Sequence, residues 1–260
     1  MRLMAAACSH VGKVRRKNED NLCFGGEILP ELKEEACFLQ RDPVKEEIPF
    51  FAVFDGMGGY AGCERASWLM AELSQQMCAG SDRPLTKERL LQLCFDANEA
   101  VCDEMERSGY AHMGTTASML YFGRKTYTLC NIGDSPVFRF REGMLTAIHQ
   151  EHTERSVYEA VTGRTAEPGR KFHLTQNIGL PSDEVLIEPY VCEDKLKAGD
   201  VFLICSDGIT DMVPVSRIIS VLKQVKDPSV IARYLLELAL EAGGKDNATV
   251  ICIRAAGIFG

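Results

Sequence analysis

Gly114-Thr-Thr-Ala-Ser-Met-Leu-Tyr-Phe122-Gly-Arg-Lys-Thr126-Tyr-Thr-Leu-Cys-Asn-Ile132-Gly-Asp134-Ser-Pro-Val-Phe-Arg-Phe-Arg141-Glu-Gly-Met-Leu-Thr-Ala-Ile148 carries a hydrophobic period of two. It predicts strands near 115–122, 126–132, 136–141 and 144–148, divided by Gly123-Arg124-Lys125, Asp134-Ser135 and Glu142-Gly143. Four short strands in series read as a β-meander. Upstream the period becomes helical, with Ala66, Leu69, Met70, Leu73 and Met77 on one stripe and Leu90, Leu93, Cys94, Ala97, Val101 and Met105 on the next. Gly80 and Pro84 divide the two helices. Before them lie a strand-like stretch over 10–25, a Pro- and charge-rich surface loop or insertion over 26–49, and the apolar strand Phe50–Phe54. Downstream, 151–183 lacks a long period and reads as an irregular, flap-like lobe of the kind that governs access to a cleft. Strands are expected at 185–191 and 200–205, helices near 208–223 and 228–242, and a last strand at 248–254. Strand, helix pair, many strands, helix pair, strand is not an alternating βαβ order. It fits an α+β chain whose antiparallel sheets carry helices on the outside.

With 260 residues and 46% apolar content, residues 1–260 can bury a core as a single domain. A net charge of −8 argues against nucleic acid as a partner. The acidic excess reads either as a solvated surface or, in part, as carboxylates neutralised by bound cations, two of which would halve it. The eleven cysteines form no C-x-x-C pair and read as reduced, mostly buried thiols. No apolar run reaches about 18 residues, and Met1–Cys8 is too short for a signal peptide. The expectation is a cytoplasmic protein without membrane contact.

Three acids share one kind of position. Asp55 ends Phe-Phe-Ala-Val-Phe and precedes Gly-Met-Gly-Gly; Asp207 ends Val-Phe-Leu-Ile-Cys-Ser; Asp246 follows Gly-Gly-Lys and leads into Asn-Ala-Thr-Val-Ile-Cys-Ile. Any one Asp-Gly is an ordinary turn. Three acids at strand ends make an oxygen-ligand site for hard divalent cations, and two ions sharing a carboxylate can make water acidic enough to attack near neutral pH. Arg15 precedes Glu19 and Asp20; in a strand it would share a face with Lys17 and Glu19. Its planar fork of donors suits phosphate, although pattern alone leaves it an ordinary surface charge. His149 and His152 lack partner ligands and read as capping or surface residues, while Asp211 would share the face of Asp207 on a helix and orient it. The glycines near Asp55 are not followed by Lys-Ser or Lys-Thr, so they do not read as a nucleotide-cradling loop.

Taken in order, Arg15-Arg-Lys-Asn-Glu19-Asp20, Phe54-Asp55-Gly-Met-Gly-Gly59, Gly114-Thr-Thr, Asn131-Ile-Gly-Asp134-Ser, Leu174-Thr-Gln-Asn-Ile-Gly179, Gly199 to Asp211 and Gly243-Gly-Lys-Asp246-Asn247 resemble the motifs of metal-dependent protein serine/threonine phosphatases, the PPM or phosphatase 2C family, in its bacterial form. The resemblance implies a four-layer α-β-β-α fold, a central antiparallel β-sandwich flanked by helix pairs, with two Mn²⁺ or Mg²⁺ ions and a possible third. It implies that Asp55 bridges both ions, that the Gly56 carbonyl binds one, and that Asp207 and Asp246 hold the other. Glu19 and Asp20 would act through water, Asp134 would join Asp207 at the third ion, and Arg15 would grip the substrate phosphate. The implied reaction is direct attack by a metal-bridging hydroxide on phosphoserine or phosphothreonine, without a covalent intermediate. Implied partners are phosphorylated proteins, both substrates of a serine/threonine kinase and the kinase itself, with the chain acting as a monomer. Met57 stands where animal members carry histidine, Pro136 where arginine is usual, and 151–173 matches no family motif. Two other readings are a non-catalytic phosphoprotein-binding module and a two-metal phosphoesterase for nucleotides or nucleic acid.

Overall fold

In the computed structural model, which describes residues 2–31, 35–41, 49–57, 62–80, 84–167, 172–181 and 185–257, the strands gather into two stacked antiparallel sheets. In chain order the elements are β1 (Arg2–His10), β2 (Asn21–Phe24), β3 (Glu27–Ile28), β4 (Ala36–Arg41), β5 (Phe50–Phe54), β6 (Gly56–Met57), α1 (Cys63–Ala79), α2 (Lys87–Ser108), β7 (Gly114–Thr115), β8 (Ala117–Phe122), β9 (Thr126–Ile132), β10 (Val137–Arg141), β11 (Met144–Ala147), α3 (Glu154–Thr162), β12 (Tyr190–Lys195), β13 (Val201–Cys205), α4 (Asp207–Thr210), α5 (Val215–Gln224), α6 (Pro228–Glu241) and β14 (Ala248–Ala256). One sheet runs β11-β10-β13-β14-β1-β4, the other β12-β9-β8-β5-β2-β3, and β6 pairs with β7 beside them.

The sandwich explains why Phe-Phe-Ala-Val-Phe does not alternate with polar residues. Phe50, Ala52 and Phe54 pack toward Ala66 and Met70 of α1, whereas Phe51 and Val53 face the other sheet with Phe202 and Ile251. A strand covered on both faces reads as a continuous apolar run. β13 repeats the pattern, with Phe202 and Ile204 inside the sandwich and Leu203 and Cys205 against α6 residues such as Leu235. Edge-to-face rings cross the interior, with centroids 5.2 Å apart for Phe24–Phe51, 6.0 Å for Phe51–Phe122 and 5.1 Å for Phe122–Phe202. Removing the fully buried Phe202 ring would cost about 3–5 kcal/mol.

Several expectations shift. Arg2–His10 forms β1, a central strand paired with β14 and β4, although its Ala5-Ala6-Ala7 run carries little β propensity; small side chains are what α6 on one face and the opposite sheet on the other leave room for. Residues 11–20 are a loop, and only Asn21–Phe24 of the expected 10–25 strand is extended, so Arg15 and Glu19 do not share a strand face. The 26–49 segment supplies β3 and the edge strand β4; its residues 32–34 and 42–48, including Pro43, lie outside the described residues. The strand expected at 185–191 begins only at Tyr190, after Pro189, and the helix expected over 208–223 is split by Pro214 into α4 and α5. The lobe holds α3, started by a Thr153–Ser156 capping box; 168–171 and 182–184 of the lobe are outside the described residues, as are Gly58 and Gly59. Among the described residues no helix is long and apolar enough to cross a membrane.

Candidate metal centre

Antiparallel pairing brings the acid-bearing turns together. Asn21 faces Phe54 across β2 and β5, so the loop holding Glu19 and Asp20 meets the end of β5 where Asp55 stands. Cys205 faces Val250 across β13 and β14, which sets Asp207 beside Asp246. His10 faces Ala248, and Ile132 faces Ala117, adding the Arg15 loop and the Asp134 turn to the same end of the sandwich. Residues as far apart as Arg15 and Asp246 then meet, the guanidinium Nη2 donating to Asp246 Oδ2 at 2.6 Å.

Each turn is fixed by buried polar contacts. Asp20 is 1% exposed, and its Oδ2 accepts from Ser206 Oγ at 2.8 Å and from Thr249 Oγ1 at 2.6 Å. Asn247 clamps the 11–20 loop: its Nδ2 donates to the carbonyls of Val11 and Lys17, each at 2.8 Å, and its Oδ1 accepts from the Glu19 amide at 2.8 Å. The Asp55 amide donates to Thr116 Oγ1 at 3.1 Å, and its carbonyl accepts from Thr116 N at 2.9 Å and Thr115 Oγ1 at 3.0 Å. Gly56 has no room for a side chain, since a Cβ would come within 2.6 Å of both the Glu19 and Cys63 carbonyls. At Gly208 a Cβ would meet the Asn247 carbonyl at 1.9 Å, so the start of α4 packs directly on the turn before β14.

The electrostatics are those of acids awaiting positive charge. Burial, then the facing Asp20, Asp207, Asp134 and Asp246, pushes the Asp55 carboxyl well above the usual carboxylate range. Burial raises Asp207 to about 8, with Asp134, Asp211, Asp246 and Asp20 adding to it. Burial raises Asp134 to about 6, where Glu151 and Asp211 add to the rise and Arg155 opposes it. Glu19 rises through burial and Glu64, with Arg15 pulling the other way. Carboxylates and a tightly packed Gly56 backbone make an all-oxygen donor set, which suits Mg²⁺ or Mn²⁺ and not a thiolate- or imidazole-preferring ion. Among the described residues no three acidic, histidine or cysteine side chains meet at one coordination point. Acids that influence one another without meeting at one point fit ions that keep part of their water shell.

Arg15, Glu19, Asp20, Asp55, Gly56, Asp134, Asp207 and Asp246 thus all lie at one end of the sandwich. Asp211 joins them, its amide donating to the Asp207 carbonyl at 2.8 Å one turn along α4. The histidines are neither caps nor surface residues. His152 is 6% exposed and its Nδ1 accepts from the Gly133 amide at 3.1 Å, while His149 Nδ1 lies 3.3 Å from the Val137 amide, so both brace the turn that carries Asp134. Pro136 opens β10, and its carbonyl accepts from the Cys205 amide at 3.0 Å. Sequence reasoning gave no role to Ser206, Thr249 or Asn247, whose partners are remote in the chain; the only signal was a polar residue beside an otherwise apolar strand.

A family model described as protein phosphatase 2C matches residues 37–237. The serine/threonine protein phosphatase PstP of Mycobacterium tuberculosis is 31% identical over 255 residues, covering 96% of this chain; the chain spans 44% of that relative's length. The serine/threonine phosphatase stp of Listeria monocytogenes is 26% identical over 256 residues, covering 94% of this chain and 92% of the relative. Among solved structures, the PstP catalytic domain in complex with two manganese ions superposes with a TM-score of 0.78 at 28% identity, covering 98% of this chain and 100% of that one.

Proposed function

This chain belongs to the protein phosphatase 2C family, and on that premise we propose that it hydrolyses phosphoserine and phosphothreonine in proteins with the help of Mn²⁺ or Mg²⁺. The observation that carries this reading is the convergence of the strand-end acids with Arg15 on their rim, bound to Asp246 at 2.6 Å. Asp55, the Gly56 carbonyl, Asp207 and Asp246 would hold two ions. Asp134 with Asp207 would serve a third, and Glu19 and Asp20 would orient water around them. When bound, the ions supply positive charge to a phosphoryl group and lower the pKa of water toward neutrality.

What the chain itself contributes is position and exclusion. Ser206 and Thr249 hold Asp20 by its Oδ2. Arg15 presents paired donors to phosphate oxygens, a contact that strengthens as charge builds on the transferring group. Met57 has no acidic proton, so the serine or threonine leaving group takes its proton from solvent. Water, and not a side chain, attacks phosphorus, so no phosphoenzyme accumulates. Residues 1–260 would act as one catalytic domain with 151–183 as its flap, a cytoplasmic monomer whose partners are phosphorylated proteins, substrates of a serine/threonine kinase and the kinase itself. Comparing turnover of a phosphothreonine peptide, a nucleotide and single-stranded DNA tests the reading: only the peptide should be consumed. Arg15→Ala should raise KM and lower kcat on it. Equal turnover of the nucleotide would overturn the assignment.

A further inference from the structure

The charge of the molecule reverses at one edge of the acidic centre. The 11–20 loop carries Lys13, Arg15, Arg16 and Lys17 in a chain whose net charge is −8. Arg15 is engaged by Asp246 and Lys17 by Glu64 of α1. Lys13 and Arg16 are exposed, and among the described residues neither forms an ion pair. Lys245 lies on the turn against which the Lys13 end of this loop packs. The Lys13 amide donates to the Gly244 carbonyl at 2.7 Å, and Gly12, at φ +86, packs so closely that a Cβ would lie 2.3 Å from the Asp246 carbonyl. The exposed Lys245 sits between these two contacts, again without an ion pair among the described residues.

These cations are not on a floppy tether. Asn247 bonds the loop at Val11, Lys17 and Glu19, which fixes the backbone on both sides of Lys13 and Arg16 relative to Asp246. The acids that share these two turns in sequence, Glu19 and Asp246, belong to the centre itself. Glu35, whose carbonyl accepts from the Val11 amide at 2.9 Å, turns its carboxylate to within 3.9 Å of His10. A phosphoryl group held by Arg15 therefore has positive charge, unpaired among the described residues and carried on a tied backbone, within a residue or two along the chain.

We infer that Lys13, Arg16 and Lys245 form a specificity surface that selects phosphorylated segments with a second anionic group, a carboxylate or another phosphate, flanking the residue to be hydrolysed. The inference rests on the phosphatase reading above and narrows its substrate class. Exposed ion pairs are individually weak, and three acting together give about a 10-fold preference in kcat/KM. Screening should shrink that preference as salt rises.

The test uses the full chain with Mn²⁺ and four phosphothreonine peptides that differ only in flanking residues: alanine, aspartate, lysine, or a second phosphothreonine. The aspartate or doubly phosphorylated peptide should exceed the alanine peptide by about 10-fold, with the lysine peptide lowest. The aspartate and double-phosphate arms tell the two anion sources apart. In a Lys13→Gln, Arg16→Gln, Lys245→Gln variant the ratio should fall to about 1, and with glutamate at the three positions it should invert in favour of lysine flanks. The readout is a ratio, so a change in absolute rate does not mask it. No acidic preference in the parent chain, or one that survives both variants, would overturn the inference. If no peptide is hydrolysed, the phosphatase reading fails. The surface is then judged by fluorescence-anisotropy binding of the same peptides, where loss of acidic preference in the variants supports it and equal binding overturns it.

Discussion

Asp20 is held by hydroxyls 186 and 229 residues away in sequence, whereas the bonds that start α3 in the lobe join Thr153 to Ser156 and Ser156 to Glu151. The acid-bearing end is a set of turns tied to one another across both sheets through buried Ser206, Thr249 and Asn247. The α3 part of the lobe leans on shorter-range contacts, whereas its Ile178–Leu180 end is tied to Thr115 and Asn98. The Glu154 amide donates to the His173 carbonyl and the Thr175 amide to the His152 carbonyl, each at 2.9 Å, and α3 buries none of its residues. Its Val157 and Val161 are 51% and 80% exposed. The contrast separates two jobs. Groups that hold charge in fixed geometry sit where the whole fold determines their place, and a segment that can vary without disturbing them is built locally.

That contrast can be broken by substitution. Asp207→Asn, which on the proposed assignment removes a ligand, should lower Mn²⁺ affinity and phosphopeptide turnover together by more than about 100-fold, read by calorimetric titration and by phosphate release. Unchanged metal affinity would remove Asp207 from the centre. Ser206→Ala combined with Thr249→Ala leaves every acid in place but frees Asp20 to turn. Metal affinity should fall by about 10–100-fold in calorimetry, and a smaller loss would mean that the long-range ties are not what positions the acid.

The acids should also mark the centre through pH. Without divalent ions, Asp207 and Asp134 keep protons in the folded state up to about 8 and about 6, above the ordinary value of 3.8. The folded chain then binds more protons than the unfolded one, so their contribution to stability is greatest at low pH and is lost as pH rises through 6 and then 8. Thermal unfolding of chelated protein should show Tm falling from about pH 5 to about pH 9. Added Mn²⁺, which binds the deprotonated acids, should restore most at the alkaline end. A Tm independent of pH would contradict the crowding of these carboxylates. The smallest effect belongs to the lobe: Thr153→Ala loses a helix cap, costing about 1 kcal/mol locally, and should leave Mn²⁺ affinity within about 2-fold of the parent by calorimetry.

The amino-acid sequence carried the acids and the layers well because both leave local marks. A strand buried on two faces is continuously apolar, as at Phe50–Phe54 and Val201–Cys205, and an acid at its end stands out. Helices α1 and α2 followed from their stripes. What escaped was set by distant neighbours. β1 is alanine-rich because of what packs on both its faces, which Ala5-Ala6-Ala7 cannot announce. The path of Arg15 is set by Asn247 and by Gly12 at φ +86, so alternation along a strand was the wrong frame for it. Ser206 and Thr249 reach Asp20 from far along the chain. The capping box of α3 was present in Thr153 and Ser156, but serine at the position usually held by glutamate or glutamine weakens that signal.

The central claim is that the gathered acids are a divalent-metal centre for phosphoprotein hydrolysis. Its most direct test strips the purified chain with chelator, verifies the loss of metal by elemental analysis, and follows phosphate release from a phosphothreonine peptide as Mn²⁺ or Mg²⁺ is returned. Turnover absent in the stripped protein and restored with saturable dependence on the ion is the predicted result. Undiminished turnover by verified metal-free protein, or none by the fully loaded one, would contradict the account.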